Sequence, residues 1–346
     1  MRPLVRIMLR DSLRQIRHIA AVPHAEARGT VAEVYTQARR EFGVVAPPLA
    51  LHSPAPEALA ASWLLLRETL LAQGRVSRAA KEAVATAISR ANDCPYCVEV
   101  HEAKLATLTG ADARGPLVDW ADRNALGPAE GEEQRPFDAA DAPEILGTAV
   151  TFHYLNRMVR LFLPDSPVPD AAPAKGRGPV MRMVARAMRP DAGTTVTPGT
   201  TLDLLPTAPL PAGLDWAKPN PAVAGALARA VASVDAAAER WVPEPVRDLL
   251  HTELAVHDGT VPGPSRAWLG DATDGLDAGH VPAARLALLV ALNPHQVTDA
   301  DLEEFRALHP GDRELVELAS WAALTAAVRF GARFGEPARP LTSTAG

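Results

Sequence analysis

The sequence predicts an all-α protein, and three observations carry that prediction. Hydrophobic residues make up 47% of the 346 residues but aromatic residues only 5%, so the core must be built mainly from Ala, Leu and Val. Apolar residues recur at helical spacing through most of the chain. No short stretch alternates strictly between apolar and polar side chains, as a half-buried strand would.

Helical periodicity predicts five helices in each half of the chain. In the first half they cover residues 31–42, 57–72, 78–91, 95–109 and 142–162. In the second half they cover residues 222–240, 243–257, 283–291, 299–308 and 313–334. Start signals support three of them. Ser77 stands at an N-cap position, Pro95 at a first helical position, and Thr298 precedes an acidic first turn.

Proline and glycine recur at short intervals between residues 164 and 200, which predicts a linker over 166–200. The length of the chain favours two domains, and we place them at residues 1–165 and 201–340. Within the linker, residues 180–188 have the pattern of a short basic amphipathic helix. Such a helix docks on a partner or, more simply, packs on its own protein.

The two halves resemble each other at an offset of about 166 residues. Residues 53–55 precede a long Ala- and Leu-rich helix, as residues 220–222 do in the second half. Residues 152–158 correspond in the same way to residues 324–330. The pattern predicts two copies of one helical unit, with chance similarity among Ala-rich helices as the alternative.

Charge and hydropathy exclude several functional classes. The net charge is −6, and no basic stripe alternates with aromatic residues, so we expect no nucleic-acid partner. Arginines interrupt the apolar residues of segment 1–10, which argues against a secretory signal and for a solvated or membrane-surface helix. The sequence has no uncharged run of 18 or more apolar residues, so it predicts no membrane span. We expect a cytoplasmic protein without a membrane partner, in a compartment that keeps thiols reduced.

Both cysteines of the protein, Cys94 and Cys97, lie three residues apart. If Cys94 is the N-cap of the predicted helix 95–109, Cys97 lies in the first turn, near the unpaired amides and the positive end of the helix dipole. We therefore expect both thiols to ionise below the pKa of about 8.5 of a free cysteine.

A histidine and a glutamate stand at spacings that could serve these thiols. His101 follows Cys97 by four residues, so its imidazole lies over the same helix face. Glu82 lies on the preceding predicted helix, and a turn at residues 92–93 would fold that helix back towards His101. Together the four side chains would form a constellation of nucleophile, base and orienting acid.

This arrangement resembles the signature of the alkylhydroperoxidase D (AhpD) branch of the carboxymuconolactone decarboxylase family. In that signature a Glu is followed after eleven residues by Cys-x-x-Cys and, three residues later, by His. Segments 78–82, 89–92 and 152–157 are also similar to family sequence. The resemblance covers residues 45–165 well and residues 200–337 faintly.

The resemblance implies an AhpD-like helical fold and a thiol peroxidase activity of the peroxiredoxin type. Cys97 would attack the hydroperoxide, Cys94 would resolve the sulfenic acid to a disulfide, and Glu82 and His101 would relay protons. The implied partners are a hydroperoxide, an external dithiol or redox-protein electron donor, and further copies of the chain in a homo-oligomer. Neither a metal nor an organic cofactor is implied.

One departure from the family pattern concerns Tyr96. The best-studied branch carries a His between the cysteines, so the Tyr puts a second route for proton transfer in doubt. The decarboxylases of the family lack the cysteine pair, so lactone decarboxylation fits poorly. Possible pocket residues are Tyr96, His153, Tyr154 and Arg157. Tyr96 is equally well a wall residue. For Arg157 the favoured interpretation is a buried Arg satisfied by carboxylates or helix carbonyls.

Three other interpretations of the thiol pair remain open. In the first interpretation the thiols are idle core residues, since free Cys is often buried. In the second interpretation they bind zinc together with His101 and Glu82, although structural zinc usually takes two well-separated ligand pairs. Lastly, the pair belongs to a non-catalytic thiol redox sensor or a helical interaction module, which oxidises without turning over.

Overall fold

All regular secondary structure that the structure describes is helical, which confirms the all-α prediction. The structure is a computed structural model, and it describes residues 13–109, 115–128, 134–168, 174–191, 193–257 and 263–335. Seven α-helices precede residue 165: α1 (Gly29–Glu41), α2 (Pro47–Ala50), α3 (Pro56–Leu66), α4 (Arg78–Ala91), α5 (Pro95–Thr109), α6 (Pro116–Asn124) and α7 (Ala142–Phe162). Seven follow: α8 (Ala174–Ala187), α9 (Pro221–Glu239), α10 (Glu244–Val256), α11 (Ala267–Ala272), α12 (Val281–Leu292), α13 (Asp299–Leu308) and α14 (Asp312–Ala332).

The predicted helix boundaries agree best where a start signal stands in the sequence. The bounds of α4, α5, α7 and α13 match the prediction. The Ser77 side chain accepts a hydrogen bond from Ala80 N at 3.2 Å, and Thr298 and Asp301 form a capping box. The prediction missed α2, α6 and α11, which have four, nine and six residues and are too short to show a helical period.

The predicted helix 57–72 is helical as far as Leu71 but changes type near its end. After α3 the segment Arg67–Leu71 forms a π-helical turn, closed by Ala72 N donating to Arg67 O at 2.8 Å. The buried Arg67 guanidinium is held there by Glu41, at 2.6 Å, and by Glu68. The Arg67–Glu41 ion pair thus connects the end of α3 to the end of α1, just before α4 begins.

Corresponding helices of the two predicted copies pack directly on each other. α3 lies against α9, and α7 lies against α14. Between the second pair, Tyr154 Oη donates to Ser320 Oγ at 3.2 Å. A Cβ built on Gly331 would lie 2.6 Å from a methyl group of Val150, so the absence of a side chain permits this close approach. One hydrophobic core therefore extends through both halves, while the division into two copies stays a prediction.

In the part of the chain that the structure describes, two helices are long and apolar enough to cross a membrane by length and composition alone. They are α9 (Pro221–Glu239) and α14 with its 3-10 extension (Asp312–Gly335). Inside the protein, 78% of the apolar window of the second and 50% of that of the first is buried. Packing against α7 and α3 accounts for their apolar composition.

The Pro/Gly-rich segment 166–200 is fastened to the first half. Its basic helix, predicted at 180–188 and observed as α8, lies across α5, the simpler of the two alternatives. Lys104 Nζ donates to the carbonyls of Ala185 at 3.1 Å and Met188 at 2.6 Å, which satisfies the end of α8. Arg67 Nη2 also donates to Thr197 O, at 3.1 Å. The segment thereby covers one side of the helix that carries both cysteines.

Candidate active site

A tight turn joins α4 to α5 and places both cysteines. Cys94 N donates to Ser89 O at 2.9 Å and Asp93 N to Arg90 O at 3.0 Å, which is the hydrogen-bond pattern of a Schellman motif. Asp93 adopts the left-handed conformation with φ of 47°. The Cys94 carbonyl already accepts the first bond of α5, from Val98 N at 3.0 Å. Cys94 therefore ends one helix and caps the next.

Both cysteines are free thiols and both are buried. Cys94 is 0% exposed and Cys97 4%, and a side-chain hydrogen bond joins the two. Burial and the neighbouring Cys94 raise the pKa of the Cys97 thiol well above its ordinary value. The expectation that Cys97 ionises more easily than a free cysteine is thus wrong for this closed, reduced state, because the cost of desolvation exceeds the help from the helix start.

Glu82 and His101 form a close pair on the facing helices α4 and α5. His101 Nδ1 lies 2.6 Å from Glu82 Oε2, and the Arg78 guanidinium lies 2.6 Å from Glu82 Oε1. Burial alone would raise the pKa of Glu82, but the charges and hydrogen bonds of Arg78 and His101 lower it to about 2. An ionised carboxylate only accepts hydrogen bonds, so His101 Nδ1 carries a proton and donates it to Glu82.

The remaining nitrogen of His101, Nε2, is the one left for proton exchange. The imidazole makes a T-shaped contact with the ring of Phe152 of α7, with ring centroids 4.6 Å apart. This contact and the bond to Glu82 fix the ring plane from two sides. The structure therefore brings Glu82 and His101 together, as the sequence spacing predicted, on the two helices that the cysteine turn connects.

An asparagine that sequence reasoning did not single out links the turn to the reactive thiols. Asn156 of α7 makes a side-chain hydrogen bond to Cys97 that lowers the pKa of this thiol. Asn156 Nδ2 also donates to Ser89 Oγ at 3.1 Å, and its Oδ1 accepts from Asn92 Nδ2 at 3.0 Å. One helical turn further on, the positive charge of Arg160 also lowers the pKa of Cys97. The only sequence signal was that segments 89–92 and 152–157 are similar to family sequence.

The four possible pocket residues do not line one common pocket: two lie in the core and two line a cleft. Tyr96 is buried beside the thiols, and burial and the two cysteines raise the pKa of its phenol. Tyr154 is fully buried at the contact with α14. His153 and Arg157 line a cleft between the two halves of the chain, together with Asn92 and Asp93 from the α4–α5 turn. Arg157 donates to the carbonyls of Ala291 and His153, each at 2.8 Å, which matches its structural interpretation.

The second half has no counterpart of the thiol pair, because the chain contains no further cysteine. The corresponding sequence position is 258–263, and residues 258–262 lie outside the described residues. Within the described ranges, no group of three or more His, Cys, Asp or Glu side chains could hold a metal ion.

Comparison with known proteins places this site in a family. Residues 57–113 match the model of the carboxymuconolactone decarboxylase family, and this segment contains Glu82, both cysteines and His101. Alkyl hydroperoxide reductase Rv2159c of Mycobacterium tuberculosis (strain ATCC 25618 / H37Rv) is 37% identical over 343 residues, which cover 93% of this chain and 96% of that protein. The similarity thus extends through both halves. The chain belongs to the carboxymuconolactone decarboxylase family, in its alkylhydroperoxidase-like branch.

Proposed function

We propose that this protein reduces hydroperoxides through the Cys94–Cys97 dithiol, with Cys97 as the attacking thiol. The observation that carries the proposal is the buried pair of Glu82 and His101, 2.6 Å apart, on the two helices that the cysteine turn connects. A reductase relative with similarity across nearly the whole chain supports a hydroperoxide as the substrate class.

In the first step, the Cys97 thiolate attacks the terminal oxygen of a hydroperoxide, ROOH. The O–O bond breaks, ROH leaves, and Cys97 becomes a sulfenic acid. The thiol proton passes to Nε2 of His101 and from there to the leaving alkoxide. Because Glu82 holds the proton on Nδ1, Nε2 is the nitrogen that accepts the thiol proton and passes it on.

In the second step, the Cys94 sulfur attacks the sulfenic sulfur of Cys97. A disulfide forms and water leaves. Over the two steps the dithiol loses two protons and two electrons, which reduce one peroxide bond to ROH and water. The two residues lie one helical turn apart and share a hydrogen bond, so the ring can close locally. An external dithiol or redox protein then reduces the disulfide by thiol exchange. No step needs a metal or an organic cofactor.

The burial of both thiols favours a second candidate, a redox sensor that oxidises but does not turn over. Cys94 and Cys97 have almost no exposed surface, and the raised pKa of Cys97 keeps its thiolate fraction low. A peroxidase must open the site for peroxide and again for the donor. A sensor needs only the first of these openings.

Steady-state peroxide consumption separates the two candidates. Purified protein with excess cumene hydroperoxide and excess dithiothreitol should consume peroxide continuously, well beyond one equivalent per chain. A sensor would stop after one equivalent. A variant with both Cys94→Ser and Cys97→Ser is the control for background reaction. Elemental analysis of the same preparation tests the zinc interpretation, because about one zinc per chain that protects the thiols would overturn the redox proposal.

We further propose a degenerate second copy for residues 201–340, as the internal repeat predicts. We also propose a cytoplasmic location, as charge and hydropathy predict, and a homo-oligomeric assembly, as the family resemblance implies. The second half supplies packing surface for α3 and α7 and one wall of the cleft next to the α4–α5 turn. It supplies no thiol.

A further inference from the structure

The cleft between the two halves is separate from the thiol pair. Its floor is the turn Ala91, Asn92 and Asp93, and one wall is α7 with His153 and Arg157. The opposite wall comes from the second half, from residues 291–295 and 326–333. Neither half alone builds this cleft, and neither cysteine lines it.

Arg157 differs in its partners from two other inward-facing cations of the protein, Arg67 and Lys81. Arg67, 1% exposed, is paired with Glu41 and Glu68, and Lys81, 2% exposed, with Glu144 at 2.6 Å. Arg157 has no carboxylate partner in the described part of the chain, where it donates only to two carbonyls and to His153. Lys104 is likewise held by two carbonyls but lies under α8, whereas Arg157 is only partly buried and faces the cleft, so its guanidinium can take an anion as a further partner.

The histidine beside Arg157 helps to hold the guanidinium at the cleft. His153 Nε2 lies 2.9 Å from Ala125 O, a group that only accepts, so Nε2 carries the proton. His153 Nδ1 then accepts from Arg157 Nη1 at 3.2 Å. Burial and the charge of Arg157 lower the pKa of His153 well below its ordinary value, so the ring stays neutral. His153 therefore orients the guanidinium through Nη1, and Nη2 makes no hydrogen bond to a described residue.

The other lining residues add positive charge and apolar surface. Asp93 is the one acidic residue among the described lining residues, and its side chain is 72% exposed. Arg333 bridges the halves by donating to Leu126 O and His257 O. Leu254 and Phe330 supply apolar walls. Nine of the seventeen described lining residues are polar or charged, and three of them are arginines, so the cleft favours a small anion that also carries an apolar part.

We propose that this cleft binds a small carboxylate with a hydrocarbon body, with the carboxylate on Arg157 and the hydrocarbon against Leu254 and Phe330. A planar guanidinium grips a carboxylate with two parallel hydrogen bonds. The thiol-less second half thereby acquires a role, because it completes a ligand site that borders the turn carrying Cys94. This binding is independent of the redox chemistry.

Octanoate is the probe, and full-length reduced protein without peroxide is the sample. Isothermal titration should show saturable binding of octanoate, at least tenfold tighter than acetate, and no binding of 1-octanol. Arg157→Gln should weaken octanoate binding at least tenfold, because a bidentate charged contact becomes a single neutral one. Arg229→Gln is the matched control. Arg229 donates to Gly225 O and Thr207 Oγ1 outside the cleft, so this variant should bind like the wild type.

Hydrogen exchange on the wild type gives a test that does not depend on the folding of a variant. Octanoate should slow amide exchange in residues 91–93 and 326–333. Saturable binding that leaves both segments unchanged, equal affinity in Arg157→Gln, or the absence of saturable binding to the wild type would each overturn the proposal. None of these results bears on peroxide reduction, which is measured separately.

Discussion

At Cys97 two physical effects oppose each other. The start of α5 favours a thiolate through unpaired amides and the helix dipole, an effect of about 0.3–2 kcal/mol. Burial and the adjacent thiol of Cys94 disfavour it and raise the pKa of Cys97. Position along a helix can be counted in a sequence, whereas burial depends on what packs above it. This difference explains why the spacing of the site was predictable and the acidity of its nucleophile was not.

The first prediction follows from the direction of this shift. Since the thiolate reacts and the pKa of Cys97 is raised, the rate of oxidation by one equivalent of peroxide should increase with pH between about 7 and 9, approaching tenfold per pH unit. Stopped-flow measurement of sulfenate formation checks this. A rate that is flat over this range would mean that Cys97 is already ionised at neutral pH.

A variant of Asn156 tests the cause of this dependence of the oxidation rate on pH. Asn156→Ala removes a hydrogen bond that lowers the pKa of Cys97, so the whole profile should move to higher pH. Asn124→Ala removes a buried amide that donates to Trp120 O at 2.9 Å, away from the thiols, and should leave the profile in place even if stability falls.

The proton relay gives the second prediction. His101→Asn and Glu82→Gln should each slow the first step by roughly a hundredfold, the usual contribution of general acid–base catalysis. Glu102→Gln is the matched control on the helix of His101, because among the described residues Glu102 pairs only with Arg90, at the surface and 2.6 Å away. Unchanged rates in both relay variants would reduce Glu82 and His101 to packing residues.

At the scale of elements, the α4–α5 turn determines the site. The sequence predicts a turn at residues 92–93 and helices on either side, and the bounds of both helices are confirmed. The left-handed conformation of Asp93 was not predicted, because Gly is the usual residue there. The contacts of Asn156 were not predictable either, because they join residues 64 and 67 positions apart through the packing of α7 on α4.

The third prediction concerns this turn. Asp93→Gly should be more stable than Asp93→Ala by about 1 kcal/mol in the free energy of unfolding, since an L-residue with a Cβ resists the left-handed conformation. Urea denaturation of the two variants measures the difference. Both variants lack the loose contact of Asp93 with Arg160, 3.9 Å away, so this contact cancels. Equal stability would place Asp93 outside the left-handed region.

At the scale of the whole molecule, the two halves depend on each other. α3 packs on α9 and α7 on α14, so each half covers apolar surface of the other. The sequence indicated two similar halves but not their mutual packing, since the faces of an Ala-rich helix do not reveal their partner. The same packing brings Ala291 to Arg157 across 134 residues.

The fourth prediction follows from this shared core. Full-length protein should unfold in urea in one transition, with fluorescence and circular dichroism coincident. An isolated 201–346 fragment should expose the apolar faces of α9 and α14, bind a hydrophobic dye, and reduce no peroxide. Peroxide reduction by that fragment would refute the assignment of the chemistry to the first half.

The measurement that tests the central claim most directly is the location of the sulfenic acid. Cys94→Ser protein should consume about one equivalent of peroxide and stop, because attack needs one thiolate and resolution needs a second thiol. Trapping with dimedone and peptide mass spectrometry should place the adduct on Cys97. Cys97→Ser should consume no peroxide and form no adduct. An adduct on Cys94 in the Cys97→Ser protein, with none on Cys97 in Cys94→Ser, would contradict the roles assigned to the two cysteines.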